Sequence, residues 1–343
     1  MLRRVATRNI DKVLTLLRHF EKLSDAAIQQ NNKSKMKKDI LAIGNAIVDI
    51  LCKVDDDFLT ENGLIKGSMS LIDAEMSEKL SKIEFEKISS GGSASNTIAA
   101  MAKFGSSCSF IGKVGNDEFG EKFISDLRDQ GSEFLTDKHL SKPTAKSFIF
   151  VTDDGERTMC TFLGCAPEID EKDIKAEFFK DLKMLYLEGY LWDSPQTISA
   201  LKKAIKLAKE NNCKIAFSLS DLFCVSRHKE DFLKLIKNDL DIVFANEFEA
   251  RELGEDYLEI FSQNADLIAI VTKSAQGCEI IESAISTNVL TEPVKDVVDT
   301  TGAGDIFAAG FLGEILSKKG VVEASHKGNE LASQIIQQYG ARL

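Results

Sequence analysis

From residue 184 onward the sequence alternates short aliphatic runs with longer amphipathic ones, and this alternation limits the possible folds more than any other feature. Residues 184–187, 214–219, 242–245 and 267–271 read as buried strands, and 195–209, 230–237 and 247–253 as helices. Strands separated by helices form a parallel sheet with helices on both faces, because parallel neighbours need a crossover long enough to hold a helix. Ligands of such sheets gather at the carboxyl ends of the strands. Upstream, 40–43 and 110–114 read as strands, and 97–104 and 117–130 as helices stopped by Gly105 and Gly131 in the C′ position. Residues 147–152 and 157–163 alternate around the turn Asp153-Asp154-Gly155 and read as a hairpin, which a doubly wound sheet does not contain. The expected class is α/β, a doubly wound, mostly parallel sheet with a small β-sheet lid.

Composition narrows the partners. A net charge of -11 argues against nucleic acid or an anionic membrane, which both want a basic face, and favours a small substrate. The seven cysteines (52, 108, 160, 165, 213, 224, 278) form no C-x-x-C pair and the four histidines are scattered, so a zinc site is not expected. Unpaired cysteines and the lack of a membrane-length apolar run fit a cytoplasmic protein. Residues 1–38 carry ten Lys/Arg against three Asp/Glu and are expected to be a leader outside the fold, with the domain at 39–343. Arginines and leucines at helical spacing in 1–20 suit a transit peptide, whereas Asp11, Glu21, Asp25 and the scarcity of Ser suit a dispensable leader. Met36-Lys37-Lys38 directly precedes the first strand, so Met36 is the expected natural start.

The chemistry concentrates in Val297-Val298-Asp299-Thr300-Thr301-Gly302-Ala303-Gly304-Asp305, read as strand, glycine turn and helix start. Free N–H groups at a helix N-terminus attract an anion. An ionised Asp305 beside that anion would repel it, unless the carboxylate is there to accept a proton. Phosphoryl transfer needs that pairing of donors and base. Locally the run also reads as an ordinary capped helix. A dinucleotide fingerprint would put its third glycine at 307, which is Phe, and no G-x-x-x-x-G-K-[ST] run exists.

D-T-T-G-A-G-D followed by an apolar, small-residue helix resembles the C-terminal signature of the ribokinase-like (PfkB) family of carbohydrate and nucleoside kinases. The resemblance implies that Asp305 is the catalytic base and that Gly302, Ala303 and Gly304 form the anion hole. Gly44-Asn45 with Asp49 is similar to the family's opening motif, which implies that Asn45 and Asp49 face sugar hydroxyls. Gly91-Gly92-Ser93-Ala94-Ser95-Asn96 is similar to its hinge motif, with Gly92 and Asn96 toward the substrate and the diglycine absorbing lid closure. The lid is expected from about 50–72 and 145–165. Arg157 within it either reaches a phosphate or is an exposed cross-strand charge.

Asn246 and Glu249 read locally as a capping box and also resemble the N-x-x-E motif that organises magnesium through water. Thr272 and Gly277 resemble the nucleotide segment, with Ser274 replacing its first glycine, and also fit a plain strand-turn-strand. The implied activity is magnesium-dependent transfer of the γ-phosphoryl of ATP to a primary hydroxyl of a furanose. Gly44-Asn45 with Asp49, Gly91-Gly92-Ser93 and Tyr186-Leu187-Glu188-Gly189-Tyr190 point to the adenosine-kinase-like branch. Fructose, ribose or a keto-deoxy sugar acid stay open as acceptors, the last disfavoured by the lack of a basic cluster. A non-catalytic nucleotide sensor or a dinucleotide protein is the alternative, against which Asp305 and Phe307 count. Some relatives dimerise through the lid sheet, so a homodimer is one option.

Overall fold

The computed structural model describes residues 38–343; the expectations about the leader and a start at Met36 lie outside them. In chain order the strands are β1 (Ile40–Ile43), β2 (Ile47–Lys53), β3 (Met69–Leu71), β4 (Lys87–Gly91), β5 (Cys108–Ile111), β6 (Ser132–Phe134), β7 (Ala145–Val151), β8 (Arg157–Phe162), β9 (Met184–Glu188), β10 (Lys214–Ser218), β11 (Ile242–Asn246), β12 (Ile268–Thr272), β13 (Cys278–Glu282) and β14 (Ile285–Val289). The helices are α1 (Asp56–Glu61), α2 (Ala74–Leu80), α3 (Ser93–Lys103), α4 (Glu118–Asp129), α5 (Pro195–Glu210), α6 (Leu222–Asn238), α7 (Glu247–Leu253), α8 (Tyr257–Ser262), α9 (Ala303–Leu316) and α10 (Val321–Ile335).

Nine strands form the main sheet in the order β14-β13-β12-β11-β10-β9-β1-β5-β6. β1 lies inside it with parallel partners on both sides, Ile40 opposite Cys108 of β5 and Met184 of β9. Four consecutive buried apolar residues suit that position, since a strand covered on both faces has no polar side. Alternate residues feed opposite cores. Ile40 and Ala42 pack with Phe110, Tyr186 and Phe311, and Leu41 and Ile43 with Trp192, Phe217 and Phe232.

The small sheet runs β3-β8-β7-β2-β4 and mixes antiparallel and parallel pairs. The chain leaves the main sheet for it through Gly44-Asn45-Ala46, between β1 and β2, and returns through Gly92, between β4 and α3. Both polar motifs are therefore crossings between the sheets.

Several sequence expectations are corrected. Val297-Val298 is not a strand: the N–H groups of Val298 and Asp299 donate to the Ile336 carbonyl at 2.8 and 3.2 Å, so the end of α10, not a sheet, holds the segment. β4 was not foreseen, because Lys87 to Gly91 mixes Ser and Gly with one Ile and shows no clear alternation. β13 and β14 pair antiparallel at the edge of the sheet, in keeping with the strand-turn-strand alternative for Thr272 to Gly277. α3 starts at Ser93 rather than 97, β5 ends at Ile111 rather than 114, and α6 starts at Leu222 rather than 230. All seven cysteines are free and buried. No helix among the described residues is long and apolar enough to cross a membrane.

Candidate active site

Gly302 caps α9 at φ 75°, a left-handed conformation, and a Cβ on it would lie 2.5 Å from that of Ala341; both facts require glycine. The Ala303 N–H turns back to the Thr300 carbonyl at 3.2 Å, and those of Gly302, Gly304 and Asp305 have no hydrogen-bond partner among the described residues. Of the three expected anion-hole donors, Ala303 is thus committed to the turn. Gly304 is exposed, and a Cβ there would meet no protein atom within 4 Å, so the fold itself does not demand its glycine.

Asp305 stands in the first turn of α9 and is held by the first turn of α3. Its Oδ1 accepts from Ser93 Oγ at 2.6 Å and its Oδ2 from Asn96 Nδ2 at 2.9 Å. Enclosure at the cavity floor raises its pKa to about 6, against the pull of those two hydrogen bonds and of Arg342. The Asn96 Nδ2 therefore serves the carboxylate, while its Oδ1 is buried without a partner and the residue lines the cavity.

The two crossings meet beside this carboxylate. A Cβ on Gly91 would lie 2.3 Å from Asp49 Oδ2, and one on Gly92, at φ 90°, would lie 2.3 Å from the Asn45 carbonyl oxygen. Glu188, fully buried at the end of β9, ties them: its carboxylate accepts the N–H of Asn45 at 2.7 Å and of Ala94 at 2.8 Å. Burial raises Glu188 to about 7 and Asp49 to about 6, the latter in spite of Arg342 and Arg157. The side-chain amide of Asn45 makes no hydrogen bond among the described residues and lines the cavity with Asp49 and Gly92.

That cavity, of about 490 Å³, has two kinds of wall. Asn45, Asp49, Asn96, Glu188 and Asp305 make one end polar, and Met69, Leu71, Ile149, Met159 and Leu163 of the lid side make the other apolar. A second cavity of about 360 Å³ is lined by Ala275, Gly277, Val294, Ala332 and Ile336 among others. The two share Thr272, Thr300, Ala303, Gly304 and Phe307, so the glycine turn is the partition between them.

Asn246 and Glu249 border the first cavity and form a complete capping box. Glu249 N donates to Asn246 Oδ1 at 2.9 Å, and Asn246 N to Glu249 Oε2 at 2.9 Å. Burial pushes the Glu249 carboxyl up to about 7. Thr272 ends β12 at the partition, and its hydroxyl donates to the Ala245 carbonyl at 3.4 Å. Gly277, at φ 84°, would bring a Cβ within 2.1 Å of the Val289 carbonyl oxygen, so the β12-β13 turn needs it whether or not a nucleotide binds.

Arg157 does neither thing expected of it. Its guanidinium pairs with Asp299 and donates to Thr301 Oγ1 at 2.8 Å, fastening β8 to the glycine turn, and it borders neither cavity. Three contributors were missed. Ser93 and Glu188 lay inside motifs used for the resemblance without a role of their own, and Arg342 lies beyond the last motif with no local signal.

This arrangement is a kinase site: two chambers, a partition of unpaired N–H groups and a carboxylate at the acceptor end. Residues 64–343 match the pfkB family of carbohydrate kinases, and the chain belongs to that family. The crystal structure of adenosine kinase from Sinorhizobium meliloti superposes with a TM-score of 0.81 at 42% identity, over 90% of this chain and 96% of that one. A probable sugar kinase from Rhizobium etli gives 0.80 at 40%, over 89% and 95%. Among sequence relatives, Adenosine kinase 2 of Arabidopsis thaliana is 27% identical over 88% of this chain and 94% of its own length. The protein is a phosphotransferase with an alcohol group as acceptor.

Proposed function

We propose that the chain phosphorylates adenosine to AMP at the expense of ATP. The observation that carries this reading is the two-sided first cavity. Its polar end offers carboxylates and an amide to ribose hydroxyls, and its apolar lid wall offers thioether and aliphatic surface to a flat purine. A free pentose or hexose would leave that wall uncovered. The names of the Sinorhizobium meliloti and Arabidopsis thaliana relatives point the same way.

In this account Asp49 and the Asn45 amide orient the ribose so that its primary hydroxyl faces Asp305, whose carboxylate takes the proton. The N–H groups of Gly302 and Gly304 meet the charge of the incoming phosphoryl group across the partition. Asp305 is mostly ionised at neutral pH, because its raised pKa still lies near 6. The nucleotide base takes the second cavity, beside Thr272 and Gly277.

Among the described residues no three His, Cys, Asp or Glu side chains cluster as a direct metal cage. Oxygen donors at Asn246 and Glu249 fit a hydrated magnesium ion instead, which when bound neutralises phosphate charge. A cytoplasmic location and a homodimer through the lid complete the proposal.

ADP release from purified protein, ATP and magnesium with adenosine, guanosine, inosine, ribose and fructose tests it. Adenosine is expected to give the highest kcat/KM. A higher value with ribose or fructose would make this a sugar kinase.

A further inference from the structure

The segment after α10 touches both halves of the site. The Gly340 N–H donates to Asp299 Oδ2 at 2.8 Å, and Ala341 packs against Gly302. Arg342 then reaches across to the acceptor side with every arm of its guanidinium. Nε donates to the Ser90 carbonyl at 3.2 Å, Nη1 to the Ser95 carbonyl at 2.9 Å and to Gln130 Oε1 at 3.0 Å, and Nη2 to Ser90 Oγ at 3.1 Å and Ser95 Oγ at 2.8 Å. Ser90 immediately precedes the Gly91-Gly92 crossing, and Ser95 sits between Ser93 and Asn96, the two residues that hold Asp305.

We propose that Arg342 is a positioning residue for the reaction: its guanidinium locks the β4-Gly92 crossing to the first turn of α3 and places a fixed positive charge behind Asp305 and Asp49. Four hydrogen bonds to these two short segments, with a fifth to Gln130 at the end of α4, are more than anchoring a chain segment requires, and a planar fork is the side chain suited to bridging them. The charge is the second part of the role. Arg342 faces Asp49, Asp305 and Asp126, with Asp129 and Lys103 lining the same recess, and Asp305 in turn faces Asp49 and Glu188. Among these neighbours Arg342 is the cation that acts on Asp305, and it favours the ionised form a base needs.

The inference rests on Asp305 acting as the base, and its test reads the carboxylate itself, so it does not depend on which acceptor is used. The protein is labelled with 13Cγ-aspartate, and the Asp305 signal is assigned by its loss in Asp305→Asn. Its titration is followed in wild type, Arg342→Gln and Arg342→Lys, with Arg342→Met as the neutral variant should Gln not fold. Asp305 should titrate at least ~0.5 pH unit higher in the neutral variant and close to wild type in the Lys variant. In parallel, kcat with adenosine should fall about tenfold in the neutral variant, with the acid limb moved to higher pH, and recover partly in the Lys variant. An Asp305 titration unmoved by the neutral change would reduce Arg342 to a structural tie and overturn the proposal. Lack of turnover by wild type with every acceptor would instead overturn the adenosine reading and leave the titration to decide this one.

Discussion

Ser93 and Asn96 grip Asp305 by one oxygen each, so the carboxylate proposed as the base is oriented before any substrate arrives. A donor removed from a carboxylate costs about 1.5–3 kcal/mol when the charge stays enclosed, and the carboxylate answers by holding its proton. Ser93→Ala and Asn96→Ala should therefore each move the acid limb of kcat/KM upward from near pH 6 by about one unit, since the base works only when ionised. An unmoved limb in both variants would detach those residues from the base. The two glycines of the turn separate in the same way. Gly302→Ala forces a Cβ into Ala341 at a positive φ and should lower stability by about 1–3 kcal/mol. Gly304→Ala meets nothing in the protein and should leave Tm unchanged while cutting turnover at least about tenfold. Full activity in Gly304→Ala would show that no phosphate comes close there.

At the scale of elements, the capping box of α7 closes the helix with the same pair of residues that the proposed function gives to hydrated magnesium. Asn246→Ala should cost about 1 kcal/mol of stability through the lost cap, and should also raise the magnesium concentration needed for half-maximal rate. A fall in Tm with unchanged magnesium dependence would leave Asn246 as a cap alone. The elements legible in the sequence were those whose signal is local. The aliphatic runs of β1, β9 and β11, the caps of α4 and α7, and the Asp153-Asp154-Gly155 hairpin carry their own periodicity or turn chemistry. Asn45, Asp49, Gly92, Asn246 and Asp305 could be gathered because each belongs to a quoted motif. Elements fixed by distant partners were not legible. β4 exists because β2 needs a partner, and 297–298 stays out of the sheet because Ile336 takes its donors. Arg157 turns to Asp299 and Asn96 to Asp305, pairs 142 and 209 residues apart that no local pattern reveals.

Across the whole molecule, four enclosed carboxyls line the first cavity. Asp49 and Asp305 are raised to about 6, and Glu188 and Glu249 to about 7. Carboxyls raised in the folded state contribute stability that is fully present below their unfolded values near 4 and is lost as pH rises through 6 to 7. Asp299 and Glu279, held down by hydrogen bonds and by paired cations, act in the opposite direction and lose their contribution at lower pH. The Tm of the ligand-free protein should therefore rise as pH falls from about 8 to about 5 and drop again in stronger acid. Glu188→Gln should flatten the upper part of that curve. A Tm that climbs steadily toward pH 8 would contradict the enclosure of these groups.

The most direct test of the central claim is the turnover of Asp305→Asn with ATP, magnesium and adenosine, beside the affinity of the same variant for a non-hydrolysable ATP analogue. The amide keeps the size of the side chain but accepts no proton, so kcat should fall by about 10² to 10⁴ with analogue affinity retained. A kcat within a few-fold of wild type would contradict the assignment of Asp305 as the base.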